Sequence, residues 1–207
     1  MTEFIHLTNK TEYSLSEGAL PIARIAELCQ TFKMPAVGIT DSNNMFGALE
    51  FSTEISKAGI QPIIGCNIKI KTPSEFINEN VQDPFFYMNI FSKNNEGYLN
   101  LLQLISTSYM SNKKDSYLEI NDLIKLKEGI IVLTGGNNSI LKQCKNQIIT
   151  KQANLFIKLL KENFDHNLYM EIQRLGRNHE ILNEYSILSI ACDNNIPLVA
   201  TNDVFFE

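Results

Sequence analysis

An α/β protein, built either as a parallel barrel or as a doubly wound sheet, is the fold class this sequence predicts. Short apolar runs of roughly four to eight residues alternate with stretches whose apolar side chains recur every three or four positions. Polar elbows rich in Asn, Asp, Ser and Gly stand where those runs end. No repeat of solenoid period and no low-complexity tract interrupts the alternation, which gives about seven strands mostly separated by helices.

At 207 residues, 44% hydrophobic and 20% charged, the chain is large enough for one well-buried core. Its net charge of −5 argues against a broad phosphate-binding face, because such a face needs clustered Lys and Arg to displace counterions. Cys29, Cys66, Cys144 and Cys192 form no C-x-x-C pair, so neither a zinc ribbon nor a thioredoxin-type motif is present. They read as reduced, buried thiols of a cytoplasmic protein. No apolar run approaches the ~18 residues that span a bilayer, and the start lacks a signal peptide's basic and apolar regions, so no membrane is expected.

Phe4 to Thr8 reads as the first strand, with a polar connection from Thr11 to Gly18 and Pro21 placed where a first helical turn tolerates it. Ile22, Ile25, Ala26, Cys29 and Phe32 form one helical stripe that Pro35 ends. Ala36 to Thr40 is a buried strand, and Ser42, Asn43 and Asn44 are competent caps for a helix beginning at once, with Leu49, Ile55 and Ala58 on its apolar face and Gly59 closing it. Gln61 to Lys71 is the next strand, its tail a hairpin arm, and Thr72 to Pro84 a surface loop. Phe85 to Phe91 is a strand, and Asn94 or Asn95 caps a helix carrying Leu99, Leu101, Leu102, Leu104 and Ile105. A loop over Ser111 to Ser116, a short helix from Asn121 and the strand Ile130 to Leu133 follow, then Thr134-Gly135-Gly136-Asn137-Asn138, which reads as a tight turn rather than a phosphate cradle. Helix Lys151 to Asn163, strand Asn167 to Ile172, helix Glu180 to Asn194 and strand Pro197 to Thr201 complete the pattern. The chain stops on an apolar pair after a strand, and so reads as the front piece of something longer.

Chemistry in such folds sits at the carboxyl ends of strands. There the sequence gathers Thr8, Lys10, Glu17, Asp41, Ser42, Asn67, Asn137, Glu171, Asn202 and Asp203. Converging acids could hold Mg²⁺ or Mn²⁺ and support phosphoester hydrolysis through a metal-bound hydroxide. The plainer reading has Asp41 and Asp203 bonding backbone N–H groups at their own turns, and Glu17 answering a helix dipole. Histidine is scarce: His6 falls in the first strand as a packed imidazole, His166 and His179 read as surface residues, and no pair has metal-ligand spacing. No serine sits in a G-x-S-x-G elbow.

Phe4-Ile5-His6-Leu7 with Thr11-Glu12-Tyr13-Ser14, the run from Gly38 to Phe51, Pro62-Ile63-Ile64-Gly65-Cys66, Lys93 to Leu101, Glu171-Ile172-Gln173-Arg174 and Ala200 to Val204 together match something specific. In this order they resemble the PHP (polymerase and histidinol phosphatase) family in the form found at the N-terminus of bacterial DNA polymerase III alpha subunits. The resemblance implies a distorted seven-stranded (β/α) barrel filling residues 1–207, with palm, thumb and fingers beyond residue 207. Active members hold divalent metals at the strand ends and hydrolyse phosphoesters. Where the family places ligands, this sequence has Thr8 and Lys10 for two histidines, Ser42 for a histidine after Asp41, Asn67 for an acid, Tyr87 for a histidine and Phe205 for another, while Glu17 and Asp203 survive as acids.

The resemblance therefore implies a rim without catalytic residues and without a bound metal, in which Lys10 pairs with Glu17 or Asp203 in place of the ion. The expected role is a scaffold that docks the proofreading exonuclease subunit and braces the remaining polymerase domains, with Mg²⁺ and most DNA contacts at a polymerase site outside this chain. The alternative is a residual metal-dependent phosphoesterase or 3′–5′ exonuclease using Glu17, Asp41 and Asp203. A free-standing sugar-phosphate enzyme of the same fold is disfavoured by the wording around Asp41.

Overall fold

In a computed structural model, residues 4–74, 84–111, 115–134, 136, 139–143, 147–176 and 178–206 are described. The elements are α1 (Ile22–Thr31), β1 (Ala36–Ser42), α2 (Ala48–Lys57), β2 (Gln61–Lys71), β3 (Phe85–Ser92), α3 (Asn95–Ser111), α4 (Ile120–Lys125), β4 (Ile130–Thr134), α5 (Gln147–Phe164), β5 (Leu168–Gln173), α6 (Asn178–Asp193) and β6 (Leu198–Thr201). The six strands form one curled half-barrel sheet in the order β1-β2-β3-β4-β5-β6.

The sheet departs from the all-parallel expectation at β3, which runs antiparallel to both neighbours while β1/β2, β4/β5 and β5/β6 are parallel. A parallel partner needs a crossover long enough to return the chain, and the Pro-bounded connection after Lys71 instead folds the arm back on itself, Lys71 opposite Phe85. Most of that connection, residues 75–83, lies outside the described residues.

Residues 4–8 form no regular strand, so the described sheet has six strands and not seven. The segment still joins the sheet's two ends. Towards β1, Gly38 N donates to His6 O at 2.8 Å and Thr40 N to Asn9 O at 2.9 Å; towards the stretch after β6, Lys10 N donates to Val204 O at 2.8 Å and Val204 N to Thr8 O at 3.1 Å. The ladder is irregular because the Asn9 side chain takes a backbone role, its Nδ2 donating to Gly38 O at 2.8 Å and His6 O at 3.0 Å. Glycine at 38 permits the crossing, since a Cβ there would stand 2.2 Å from Leu7 O.

Alternate strand residues supply the core. Cys66, Ile68 and Ile70 of β2 and Phe86, Met88 and Ile90 of β3 are buried with Leu101, Leu104, Phe156, Ile157 and Leu160 of the covering helices. A second cluster gathers Ile22, Ile25 and Cys29 of α1 with Ile39, Phe51 and Ile55. Phe32 and Leu49, expected in apolar stripes, are exposed instead at 65% and 78%. Phe32 sits past the end of α1 as its cap, and Leu49 lies on the outer side of α2, whose buried residues are Ala48, Phe51 and Ile55. That helix starts at Ala48, later than expected, because none of the three candidate caps reaches its first turn; Asn44 Oδ1 instead accepts from Phe46 N at 3.1 Å in the turn before it. Ser42 ends β1, Asn43 Oδ1 accepts from Lys69 N at 2.7 Å, and Asn44 Nδ2 donates to Tyr13 O at 3.0 Å. Cys29 and Cys66 are buried thiols, Cys192 is exposed, and Cys144 lies outside the described residues. No described helix is long and apolar enough to cross a membrane.

Candidate functional site

The carboxyl ends of the parallel strands, with Tyr87 and Asn89 of the antiparallel β3, frame a pocket of about 210 Å³, lined by Lys10, Glu17, Ser42, Asn67, Tyr87, Asn89, Leu133, Gly136, Ser139, Glu171, Gln173, Asp203 and Phe205. Eight positions singled out from sequence therefore meet there: Lys10, Glu17, Ser42, Asn67, Tyr87, Glu171, Asp203 and Phe205. Thr8 does not line it. Its buried hydroxyl donates to Asn202 O and helps hold the first segment to the stretch after β6.

Asp41 belongs to the frame rather than the pocket. It is 1% exposed and spends both oxygens on the first connection: Oδ1 accepts from Thr11 N at 2.7 Å and Ser14 Oγ at 2.6 Å, and Oδ2 from Thr11 Oγ1 at 2.7 Å. The plainer reading of Asp41 as a structural carboxylate holds in kind, although the backbone it caps is the Thr11–Ser14 turn and not its own. Beneath it, the Cys66 thiol donates to Asp41 O at 3.2 Å, and burial pushes that thiol up to about 12.

Lys10 reaches an acid through an intermediary. Its Nζ donates to Ser42 Oγ at 2.8 Å, and that hydroxyl donates to Glu17 Oε2 at 2.5 Å. The direct pairing with Glu17 or Asp203 expected from sequence is thus replaced by a Lys10–Ser42–Glu17 relay. Burial lowers the Lys10 pKa, while the nearby acids Glu17, Asp203 and Asp41 act to raise it.

The opposite wall is a chain of amides and acids. Asn67 Nδ2 donates to Asn89 Oδ1 at 2.7 Å, and Asn89 Nδ2 to the two oxygens of Glu171 at 3.0 and 3.2 Å. Gln173 Nε2 donates to Glu171 Oε1 at 2.9 Å and Asp203 Oδ1 at 3.0 Å, and Thr201 Oγ1 donates to Glu171 Oε1. Glu171 is 1% exposed, and burial raises its carboxyl above the usual range against the pull of these donors.

Asn89, Gln173 and Thr201 were not singled out from sequence as site residues. The available signal was strand alternation: two residues on from Tyr87 and from Glu171 a side chain returns to the same face. Asn137 lies outside the described residues. His6 packs edge-on against Phe4, His166 pairs with Asp165 at the surface, and neither borders the pocket.

A divalent-metal cluster of the kind the resemblance implies does not fit these donors. Among the described residues no imidazole lines the pocket, the Glu171 oxygens already accept from amides and a hydroxyl, and an ammonium occupies the Glu17 side. Among the described residues no group of three or more His, Cys, Asp and Glu is placed to hold an ion.

Over residues 6–175 the sequence matches the PHP domain family. It is 36% identical over 207 residues to DNA polymerase III subunit alpha of Rickettsia felis, 34% over 205 to that of Caulobacter vibrioides and 31% over 204 to that of Haemophilus influenzae. Those alignments take in 98–99% of this chain, yet the chain spans only 16–18% of the length of these curated relatives. Among solved structures, an amidohydrolase from Chromobacterium violaceum, with bound sulfate and no metal, superposes with a TM-score of 0.63 at 8% identity, covering 97% of this chain and 87% of that one. A protein from Bifidobacterium adolescentis assigned as a metal-dependent phosphoesterase superposes with a TM-score of 0.61 at 13% identity, covering 100% and 89%. At such identities the likeness is one of fold.

Proposed function

The chain belongs to the PHP domain family, and from that premise we propose that it is the N-terminal PHP domain of a cytoplasmic DNA polymerase III alpha subunit, acting as a catalytically silent scaffold. One observation carries the silent half of this reading: the rim acids are already committed to donors of the chain itself, Asp41 to Thr11 and Ser14, Glu171 to Asn89, Gln173 and Thr201, and Glu17 to Ser42. A residual exonuclease built on Glu17, Asp41 and Asp203 would first have to strip Asp41 out of a fully satisfied knot, at the cost of a buried N–H left without an acceptor. In this role the domain braces the remaining polymerase domains and docks the proofreading exonuclease subunit, while Mg²⁺, DNA and nucleotidyl transfer belong to polymerase domains outside this chain.

Metal analysis of the purified chain tests the silent half. The expected result is no stoichiometric zinc or manganese and no manganese-stimulated hydrolysis of a phosphoester. Bound metal, or hydrolysis abolished by Asp203→Asn, would restore the enzymatic alternative. Docking is tested by mixing the folded chain with the exonuclease subunit: co-elution is expected, and failure to bind removes that half alone.

A further inference from the structure

Among the described residues that line the rim pocket, Lys10 is the only basic one, against three carboxylates, Glu17, Glu171 and Asp203. The lysine is 7% exposed, and its Nζ meets one of the acids, Glu17, through the Ser42 hydroxyl: 2.8 Å to Ser42 Oγ and 2.5 Å from there to Glu17 Oε2. A buried ammonium without a countercharge is costly, and so are the buried Glu171 and half-buried Asp203 without a cation; Glu17, though exposed, is the acid the ammonium reaches through Ser42. The main chain of Lys10 is anchored separately, its N–H on Val204 O at 2.8 Å, so a change of side chain leaves that anchor in place. The facing wall adds Ser139 Oγ, buried and without a hydrogen-bond partner among the described residues.

We propose that Lys10 is the resident counter-ion of this rim, a tethered ammonium whose removal leaves a vacancy with the size and charge to take a small free cation. The inference rests on the reading that the rim holds no metal. An alkylammonium is favoured over a divalent ion, because Glu171 stays saturated by its amide donors and only Glu17 and Asp203 remain to receive a charge. Lys10→Ala deletes Cγ, Cδ, Cε and Nζ, which are the heavy atoms of propylammonium. The vacated space is therefore shaped for that probe.

Thermal unfolding of wild type and Lys10→Ala, with propylammonium chloride or with sodium chloride at the same ionic strength, tests this. Lys10→Ala is expected to melt below wild type and to regain roughly 5–10 °C at propylammonium about a hundredfold above its Kd. Sodium should not do this, and wild type should respond to neither. A variant that melts like wild type, or that responds equally to both salts, overturns the proposal. Should Lys10→Ala fail to fold, Lys10→Met is compared with Lys10→Met combined with Glu17→Gln and Asp203→Asn. Removing the acids is expected to restore the stability that removing the ammonium cost, and a triple variant no more stable than the single one overturns the role. Stoichiometric metal in wild type would instead remove the metal-free reading beneath it. Indifference of Lys10→Ala to propylammonium, with wild type metal-free, removes only the counter-ion.

Discussion

Asp41 holds together two stretches 30 positions apart in sequence by accepting from Thr11 N, Thr11 Oγ1 and Ser14 Oγ. Charge-assisted hydrogen bonds are the strong ones, and removing the acceptor strands a buried N–H, so Asp41→Ala is expected to cost about 3 kcal/mol or more, read as a fall of roughly 6–12 °C in Tm. Glu171 makes a prediction in pH. Burial raises its carboxyl above the ordinary 4.5, so just above pH 4.5 the folded chain keeps a proton that the unfolded chain has released. Stability from this group is then fully present below 4.5 and is lost as pH rises through the folded-state value. Across that window the urea midpoint of wild type should fall relative to Glu171→Gln, and the difference should be level on either side. These two acids also mark the limits of reading the site from sequence. Lys10, Ser42, Asn67, Tyr87 and Phe205 were legible because each departs from a family ligand at a known place, and Glu17 and Asp203 because each keeps the family's acid. Asn89, Gln173 and Thr201 were not, since a neutral side chain inside an apolar strand gives no sign of its partner until the strands are paired.

Elements were more legible than contacts, because periodicity fixes a helix or strand locally whereas neighbours are set by the whole chain. The start of α3 joins the two levels. Asn94 Oδ1 accepts from Gly97 N at 2.9 Å, the cap expected from sequence, and fixes the helix against the turn before β4. There a Cβ on Gly97 would stand 1.8 Å from Gly129 O. Intrinsic propensity alone says that Gly97→Ala should stabilise α3 by up to about 1 kcal/mol. Contact with a rigid backbone atom outweighs this, and a net loss of about 3 kcal/mol is expected from the urea midpoint, with overpacking as its cause. The hairpin arm expected at the tail of β2 is present, but the late start of α2 and the antiparallel run of β3 against β4 as well escaped the sequence reading for a related reason. Several residues there could cap, and whether a connection crosses over or folds back depends on what it packs against.

Across the whole molecule the two ends of the curled sheet are joined by the segment that runs from His6 to Lys10 and by Val204. Val204→Pro deletes the N–H that Thr8 O accepts and should open this seam selectively. The expected signature is faster amide exchange at Lys10 and Thr40, with the paired amides of β2 and β3 unchanged. Thr8 and Asn202 meet across a sequence separation of 194, close to the full length of the described chain. A contact of that span carries a large loop-closure cost and is rewarded only after the local pairs have formed. During synthesis the rim thus stays unfinished until residue 204 has left the ribosome: the Lys10–Ser42–Glu17 side needs only the first 42 residues, and Asp203 closes the opposite wall as the last act of folding.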